Sequence, residues 1–206
     1  MRQERKASAH IKERKMEERE IMTIFTKTGA YHQGHFKLSS GLHSPAYLQC
    51  AIILADPILA ERLCGVLARK IITEKPDIVI GPAMGGIVLA YELARAVGAR
   101  AMFTERDKDG KMALRRGFRI RPQDKVIVAE DVITTGGSVK EVIALLKTMD
   151  VETREIACFV DRAKGAVDFG GISVKSLLKL EVPTFTETEC PLCQEGIPIQ
   201  KPGSKK

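Results

Sequence analysis

The chain has 206 residues, 44% of them hydrophobic and 29% charged, with a formal net charge of +7, which is enough for one α/β domain with its own core. No apolar run approaches the ~20 residues that a membrane crossing needs, and the charged start MRQERKASAHIKERKMEERE lacks the apolar centre of a secretory signal, so a cytoplasmic protein is expected. The positive charge is local: residues 1–20 carry seven basic and five acidic side chains, residues 105–121 carry seven and three, and the tail KPGSKK adds three lysines. That distribution suits a compact anionic ligand rather than a nucleic-acid duplex, which needs a broad basic face. Five cysteines, Cys50, Cys64, Cys158, Cys190 and Cys193, are odd in number and irregular in spacing, as in a reducing compartment.

Taken in chain order, the segment through Thr28 is mixed in charge, with Ile21, Ile24 and Phe25 forming a modest apolar stripe, and reads as a helix. Residues 29–55, rich in Gly, His and Ser, read as irregular or short-stranded. Asp56 and Pro57 mark an N-cap and first turn, and Leu59, Leu63, Val66, Leu67 and Ile71 continue at helical spacing, predicting a helix to about residue 72. Strands and helices then alternate: DIVIG (77–81), a helix over GGIVLAYELARAVG ending at Gly98, ARAMF (99–103), KVIVAE (125–130), a helix from Ser138 to Met149, EIACFV (155–160) and a last strand within SLLKLEV. Apolar strands alternating with amphipathic helices predict a mostly parallel sheet with helices on both faces, and in such sheets ligands bind beyond the carboxyl ends of the strands.

At one such end stands VIVAEDVITTGGS (126–138). Thr134, Thr135, Gly136, Gly137 and Ser138 lie between a strand and a helix, where successive backbone amides, hydroxyls and the helix dipole converge on an anion. Neither GxxxxGK[ST] nor GxGxxG is present. Glu130 and Asp131 would repel a polyphosphate lying on them, yet they accept hydrogen bonds from vicinal hydroxyls, so a ribose 5-phosphate is the ligand this block prefers.

The block resembles the signature of the type I phosphoribosyltransferases, which bind 5-phosphoribosyl 1-diphosphate (PRPP). The resemblance implies that Glu130 and Asp131 hold the ribose hydroxyls, and that Val132, Ile133, Thr134, Thr135, Gly136, Gly137 and Ser138 form the PRPP-binding turn. It also implies a small hood, built from about residues 1–50 and 180–206, on a single domain spanning 1–206. Further stretches are similar to the orotate branch. HFKLSSGLHSPAYL (35–48) resembles the base-site segment F-x-L-x-S-G-x-x-S-P, GPAMGGI (81–87) the pyrophosphate loop with Gly85 and Gly86, FVDRAKG (159–165) the Asp-Arg segment whose arginine, Arg162, meets the orotate carboxylate, and TECPLCQEGIPIQKPGSKK the chain ending. Many orotate enzymes carry lysines where this chain has Ser39 and Gly85; Lys37 is the neighbouring cation that stands in for the first. The resemblance also turns Thr134 toward the base.

The expected reaction joins orotate to PRPP with Mg²⁺ as cofactor, in a homodimer whose basic loop, ERDKDGKMALRRGFRIR (105–121), reaches into the neighbouring subunit's site. Arg106, Lys108 and Lys111 are the catalytic candidates in that loop, ahead of Arg115 and Arg116. A purine phosphoribosyltransferase and a PRPP-sensing regulator that binds nucleic acid are the alternatives. The base-site segment, Arg162 and the cationic loop favour an enzyme, because a sensor needs no pocket for a second substrate. Cys190 and Cys193 have the C-x₂-C spacing of a zinc pair, but a structural site needs four ligands and the chain has no second such pair. His32, His35 and His43 are near one another in sequence and could contribute ligands, but they read as ordinary loop histidines, and no protein-held metal is expected.

Overall fold

A computed structural model describes residues 16–38, 40–163 and 165–202. Helix α1 (Glu18–Lys27) is followed by strands β1 (Tyr31–Lys37) and β2 (His43–Leu48), a short α2 (Ala51–Leu54) and α3 (Pro57–Ala68). Then come β3 (Ile78–Pro82), α4 (Gly85–Val97), β4 (Arg100–Arg106), β5 (Met112–Leu114), β6 (Val126–Ile133), α5 (Gly137–Lys147), β7 (Thr153–Asp161), β8 (Val174–Lys179) and α6 (Pro191–Gln194). The main sheet has the order β5-β4-β3-β6-β7-β8, parallel throughout except for β5, which runs antiparallel to β4.

Strand periodicity divides the core into two layers. Val79, Ile127 and Phe159 pack under α1, α3 and α4 against Phe25, Leu63, Leu67, Leu89 and Leu93. Ile78, Ile80, Val128 and Ile156 pack on the opposite face against Val139, Val142 and Leu146 of α5. Both faces are covered, as the unbroken apolar strands require. Gly98 closes α4 in the left-handed conformation at φ 73°, where glycine carries no Cβ penalty.

Two segments depart from the sequence expectations, and a third is made definite. The helix begun at Pro57 stops at Ala68 rather than near residue 72, because the amides of Ile72 and Thr73 donate instead to the buried carboxylate of Glu155, at 3.0 and 2.7 Å. Residues 31–48, within the stretch read as irregular or short-stranded, form two short strands paired as an antiparallel hairpin, β1 with β2. The basic segment is a hairpin too: β5 pairs with β4 and the turn is fixed by the Asp107 side chain, which accepts from the amides of Asp109 and Lys111, each at 2.9 Å. Its lack of apolar periodicity hid this, since a strand at the sheet edge needs no buried face over its whole length.

The segment after β8 returns to the β1–β2 hairpin. His43 and Phe185 exchange amide hydrogen bonds, and Gln200 is held between His35 and Lys37. Among the described residues no helix is long and apolar enough to cross a membrane.

Candidate functional site

Strand β6 carries Glu130 and Asp131 to its carboxyl end, and the chain turns through Thr134, Thr135 and Gly136 into α5. Gly136 sits at φ 73°, and a Cβ there would come within 2.6 Å of the Phe169 ring, so the turn needs glycine on both counts. No side chain caps α5; the amides of its first turn remain available to a ligand. Glu130, Val132, Ile133, Thr134, Thr135, Gly136, Gly137 and Ser138, together with Arg106, line one open cavity of about 250 Å³. The thirteen-residue block and the first loop cation thus meet at one place.

The acid pair is crowded. The Asp131 amide donates to Glu130 Oε1 at 3.1 Å and the Val132 amide to Asp131 Oδ1 at 2.8 Å. Burial, then the neighbouring Asp131 charge, pushes the Glu130 carboxyl up to about 8. Beneath the pair lie the thiols of Cys50 and Cys158, both raised by burial and by these acids.

The loop between β3 and α4 presses on the same strand end. A Cβ on Gly86 would meet Ala129 O and Pro82 Cδ at 2.9 Å, and one on Gly81 would collide with the Gly86 carbonyl. A Cβ on Gly85 would stand 2.8 Å from Asp131 Oδ1. The position at which many orotate enzymes carry a lysine is therefore filled, in this chain, by the approach of an acid.

Arg162 follows β7, and its amide donates to Ile133 O at 2.8 Å, which anchors it beside the Gly-rich turn. Its guanidinium is half-buried and burial lowers its pKa; Tyr31 of the β1–β2 hairpin offsets part of that. No carboxylate of the described residues pairs with it, which leaves a half-buried cation able to pair with an anion. Tyr31 was not singled out in the sequence; no local motif marks it.

The β4–β5 hairpin separates its cations. Arg106 donates to Gly110 O at 2.6 Å and pairs with Glu141 at 2.9 Å. Arg116 forms a bidentate pair with Glu105, at 3.1 and 2.9 Å, and Arg115 adds a contact at 3.4 Å. The Arg116 hydrogen bond leads in lowering the Glu105 carboxyl. Lys108 and Lys111 lie exposed at the hairpin tip without an ion pair among the described residues. Lys37 lies 3.7 Å from Glu187 of the segment after β8, and Ser39 falls outside the described residues.

The expectation of no protein-held metal rested on the want of a second ligand pair. The fold supplies one: His35 and His43 stand beside Cys190 and Cys193, with one ligand atom from each residue within 4.8 Å of the others. Sequence distance concealed it, because the hairpin and the chain ending are about 150 residues apart.

A family model described as "Phosphoribosyl transferase domain" matches residues 53–178. The orotate phosphoribosyltransferase of Carboxydothermus hydrogenoformans is 52% identical over 189 residues, 91% of this chain and 98% of that one. The chain belongs to the orotate phosphoribosyltransferase family. Among solved structures, orotate phosphoribosyltransferase from Aeropyrum pernix aligns with a TM-score of 0.64 at 26% identity, over 78% of this chain and 94% of that one. Adenine phosphoribosyltransferase from Thermoanaerobacter pseudethanolicus aligns with a TM-score of 0.57 at 15% identity, over 66% and 88%. The fold is thus shared with an enzyme acting on another base, and the orotate family is set by sequence. The type I phosphoribosyltransferase architecture expected from the sequence is the one found.

Proposed function

We propose that the cavity at the end of β6 transfers the 5-phosphoribosyl group of PRPP to orotate, giving orotidine 5′-phosphate and pyrophosphate. The observation that carries this reading is the meeting, in one cavity, of an uncapped Gly-rich turn and Glu130, with Asp131 adjacent on the same strand end. Amides and hydroxyls of Thr134 to Ser138 take the 5-phosphate, and Glu130 and Asp131 take the ribose hydroxyls. Arg162 takes the orotate carboxylate through its planar fork. A ring nitrogen of orotate attacks the anomeric carbon as the bond to pyrophosphate breaks, so the protein contributes position and charge rather than a covalent intermediate.

Arg106, Lys108 and Lys111 stabilise the charge that develops on the leaving pyrophosphate, and the hairpin closes over the site to exclude water. The oxygen atoms of Glu130 and Asp131 are hard donors that would suit Mg²⁺, and the ion would supply positive charge to neutralise the leaving group.

A homodimer is supported by the exposed apolar stripe Met84, Val88 and Tyr91 along α4, which lies directly beside the pyrophosphate loop. The five free thiols accord with a cytoplasmic enzyme. The test is release of pyrophosphate from PRPP with Mg²⁺ and a panel of bases: release with orotate alone is expected, whereas release with adenine or xanthine, or with no base at all, would overturn the assignment.

A further inference from the structure

The hood contains a polar cluster that the transfer reaction does not use. His35 on β1, His43 on β2, Cys190 just before α6 and Cys193 within it meet between the hairpin and the returning chain. His35, His43 and Cys190 are all buried, with relative exposures of 2%, 2% and 0%. His35 Nε2 lies 3.0 Å from His43 Nδ1, 3.5 Å from Cys190 Sγ and 3.7 Å from Cys193 Sγ, and Cys193 Sγ lies 3.2 Å from His43 Nδ1.

Hydrogen bonding alone does not account for this convergence. His35 Nδ1 lies 2.8 Å from Ile197 O, and a carbonyl can only accept, so Nδ1 holds the proton and Nε2 presents a single lone pair. Three neighbours crowd that lone pair, and it can serve one of them. His43 Nε2, on the far side of its ring, is buried without a partner among the described residues. A cation at the centre of the four would use all four lone pairs at once.

The spacings agree with that. Zinc–nitrogen bonds of about 2.0–2.1 Å and zinc–sulfur bonds of about 2.3 Å in a tetrahedron place ligand atoms about 3.3 Å apart for two nitrogens and about 3.6 Å for nitrogen and sulfur. The His35 bond to Ile197 O is the outer support that fixes the tautomer of a ligating imidazole. The Cys190–Cys193 turn is closed by the Cys193 amide donating to Cys190 O at 3.1 Å, which brings both sulfurs to one side.

The geometry points to a structural Zn²⁺ site formed by His35 Nε2, His43 Nδ1, Cys190 Sγ and Cys193 Sγ, clamping the chain ending onto the β1–β2 hairpin. Two thiolates and two imidazoles favour zinc over the hard cation that accompanies a diphosphate. A clamp has physical use there. The segment after β8 contributes only the four-residue α6 and is otherwise tied by the bridges at Phe185 and Gln200, a small apolar area for an ordered chain. The site rests on its own geometry and does not depend on the assignment of the transfer reaction.

The full-length chain, freed of any histidine tag, should carry about one zinc per chain by elemental analysis, with Cys193→Ser falling below about one tenth of that. Cys64→Ser, which alters a buried thiol outside the cluster, should keep its zinc. Cobalt exchanged into the wild-type chain should give the thiolate-to-metal and visible bands of a tetrahedral site. If Cys193→Ser does not fold, the wild-type protein decides: a chelator should lower its melting temperature and open two thiols to a colorimetric reagent, and Zn²⁺ but not Mg²⁺ should reverse both changes. A chain that binds neither zinc nor cobalt after reduction, or whose cobalt form has no thiolate band, would refute the site.

Discussion

Gly85 leaves to Asp131 the space that a side chain would occupy: a Cβ added at residue 85 would stand 2.8–2.9 Å from all three atoms of the Asp131 carboxylate. The obstructing group is the end of a side chain, which can rotate away at modest cost. A Cβ at Gly86 instead meets backbone, Ala129 O at 2.9 Å and Gly81 Cα at 3.1 Å, which cannot. Gly85→Ala should therefore fold almost normally but raise the KM for PRPP about tenfold, roughly 1.4 kcal/mol of lost ribose binding, with the KM for orotate nearly unchanged. Gly86→Ala should lower the melting temperature by several degrees. Steady-state kinetics and thermal melts of the two variants check the pair; equal behaviour of both would contradict this division of roles.

Glu130 gives a pH signature. In the unfolded chain its carboxyl titrates at the ordinary value of 4.5, and in the folded protein burial and Asp131 raise it to about 8. The folded state then holds the extra proton between these values. Stability from this group is complete below 4.5 and is lost as pH rises through about 8. Glu130→Gln removes the penalty for the charged form, so it should gain on the order of 1–3 kcal/mol over wild type at pH 9, allowing for the part of the group that solvent reaches, and almost nothing at pH 5. Melts of both proteins without substrate, across that range, measure it. A stability difference that did not change with pH would mean that Glu130 is charged throughout.

Arg162 is half-buried without a carboxylate partner among the described residues, so most of its binding energy awaits a ligand. Arg162→Ala should raise the KM for orotate about 30- to 100-fold, the scale of a lost charge-assisted pair, and leave the KM for PRPP within about threefold. Arg162→Lys should recover only part of the loss, because an ammonium cannot form the two parallel bonds. Initial rates with each substrate varied in turn would show it; a change confined to PRPP would remove Arg162 from the base site.

Much of this was legible in the sequence because the chemistry is local. Glu130 to Ser138 are contiguous, and a strand, an acid pair and a Gly-rich turn each have their own pattern, so the cavity wall could be read residue by residue. The strand-helix alternation gave the parallel sheet for the same reason. What depends on long-range approach was hidden. The stop of α3 is set by Glu155, 83 residues away; nothing near Gly85 announces Asp131; and the second pair of soft ligands for Cys190 and Cys193 sits on a hairpin about 150 residues away.

The loop cations should separate by their partners. Arg116 already spends its charge on Glu105 at 2.9 Å, whereas Lys108 and Lys111 are exposed and unpaired among the described residues. Lys111→Ala and Lys108→Ala should lower kcat about 10- to 100-fold, and Arg116→Ala less than about threefold. If Arg116→Ala were the most damaging, closure of the hairpin would have to break its pair with Glu105, and the order of importance would be inverted.

Sharing of the loop between subunits can be decided by mixing two impaired proteins, assayed at an orotate concentration well below the KM of Arg162→Ala. Arg162 is anchored to Ile133 beside its own Gly-rich turn, so an Arg162→Ala defect stays with the subunit that carries it. A Lys111→Ala defect belongs to the same site if the hairpin acts in cis and to the neighbouring site if it crosses. Unfolding and refolding an equimolar mixture makes about half of the dimers mixed. In the crossing arrangement each mixed dimer has one doubly defective site and one with both residues intact, so about one quarter of wild-type activity should return. In the cis arrangement every site keeps one defect and activity stays at the sum of the parents. The rescue should also vanish when Tyr91→Glu, on the exposed stripe with Met84 and Val88, places a charge in the proposed interface; undiminished rescue would move that interface elsewhere.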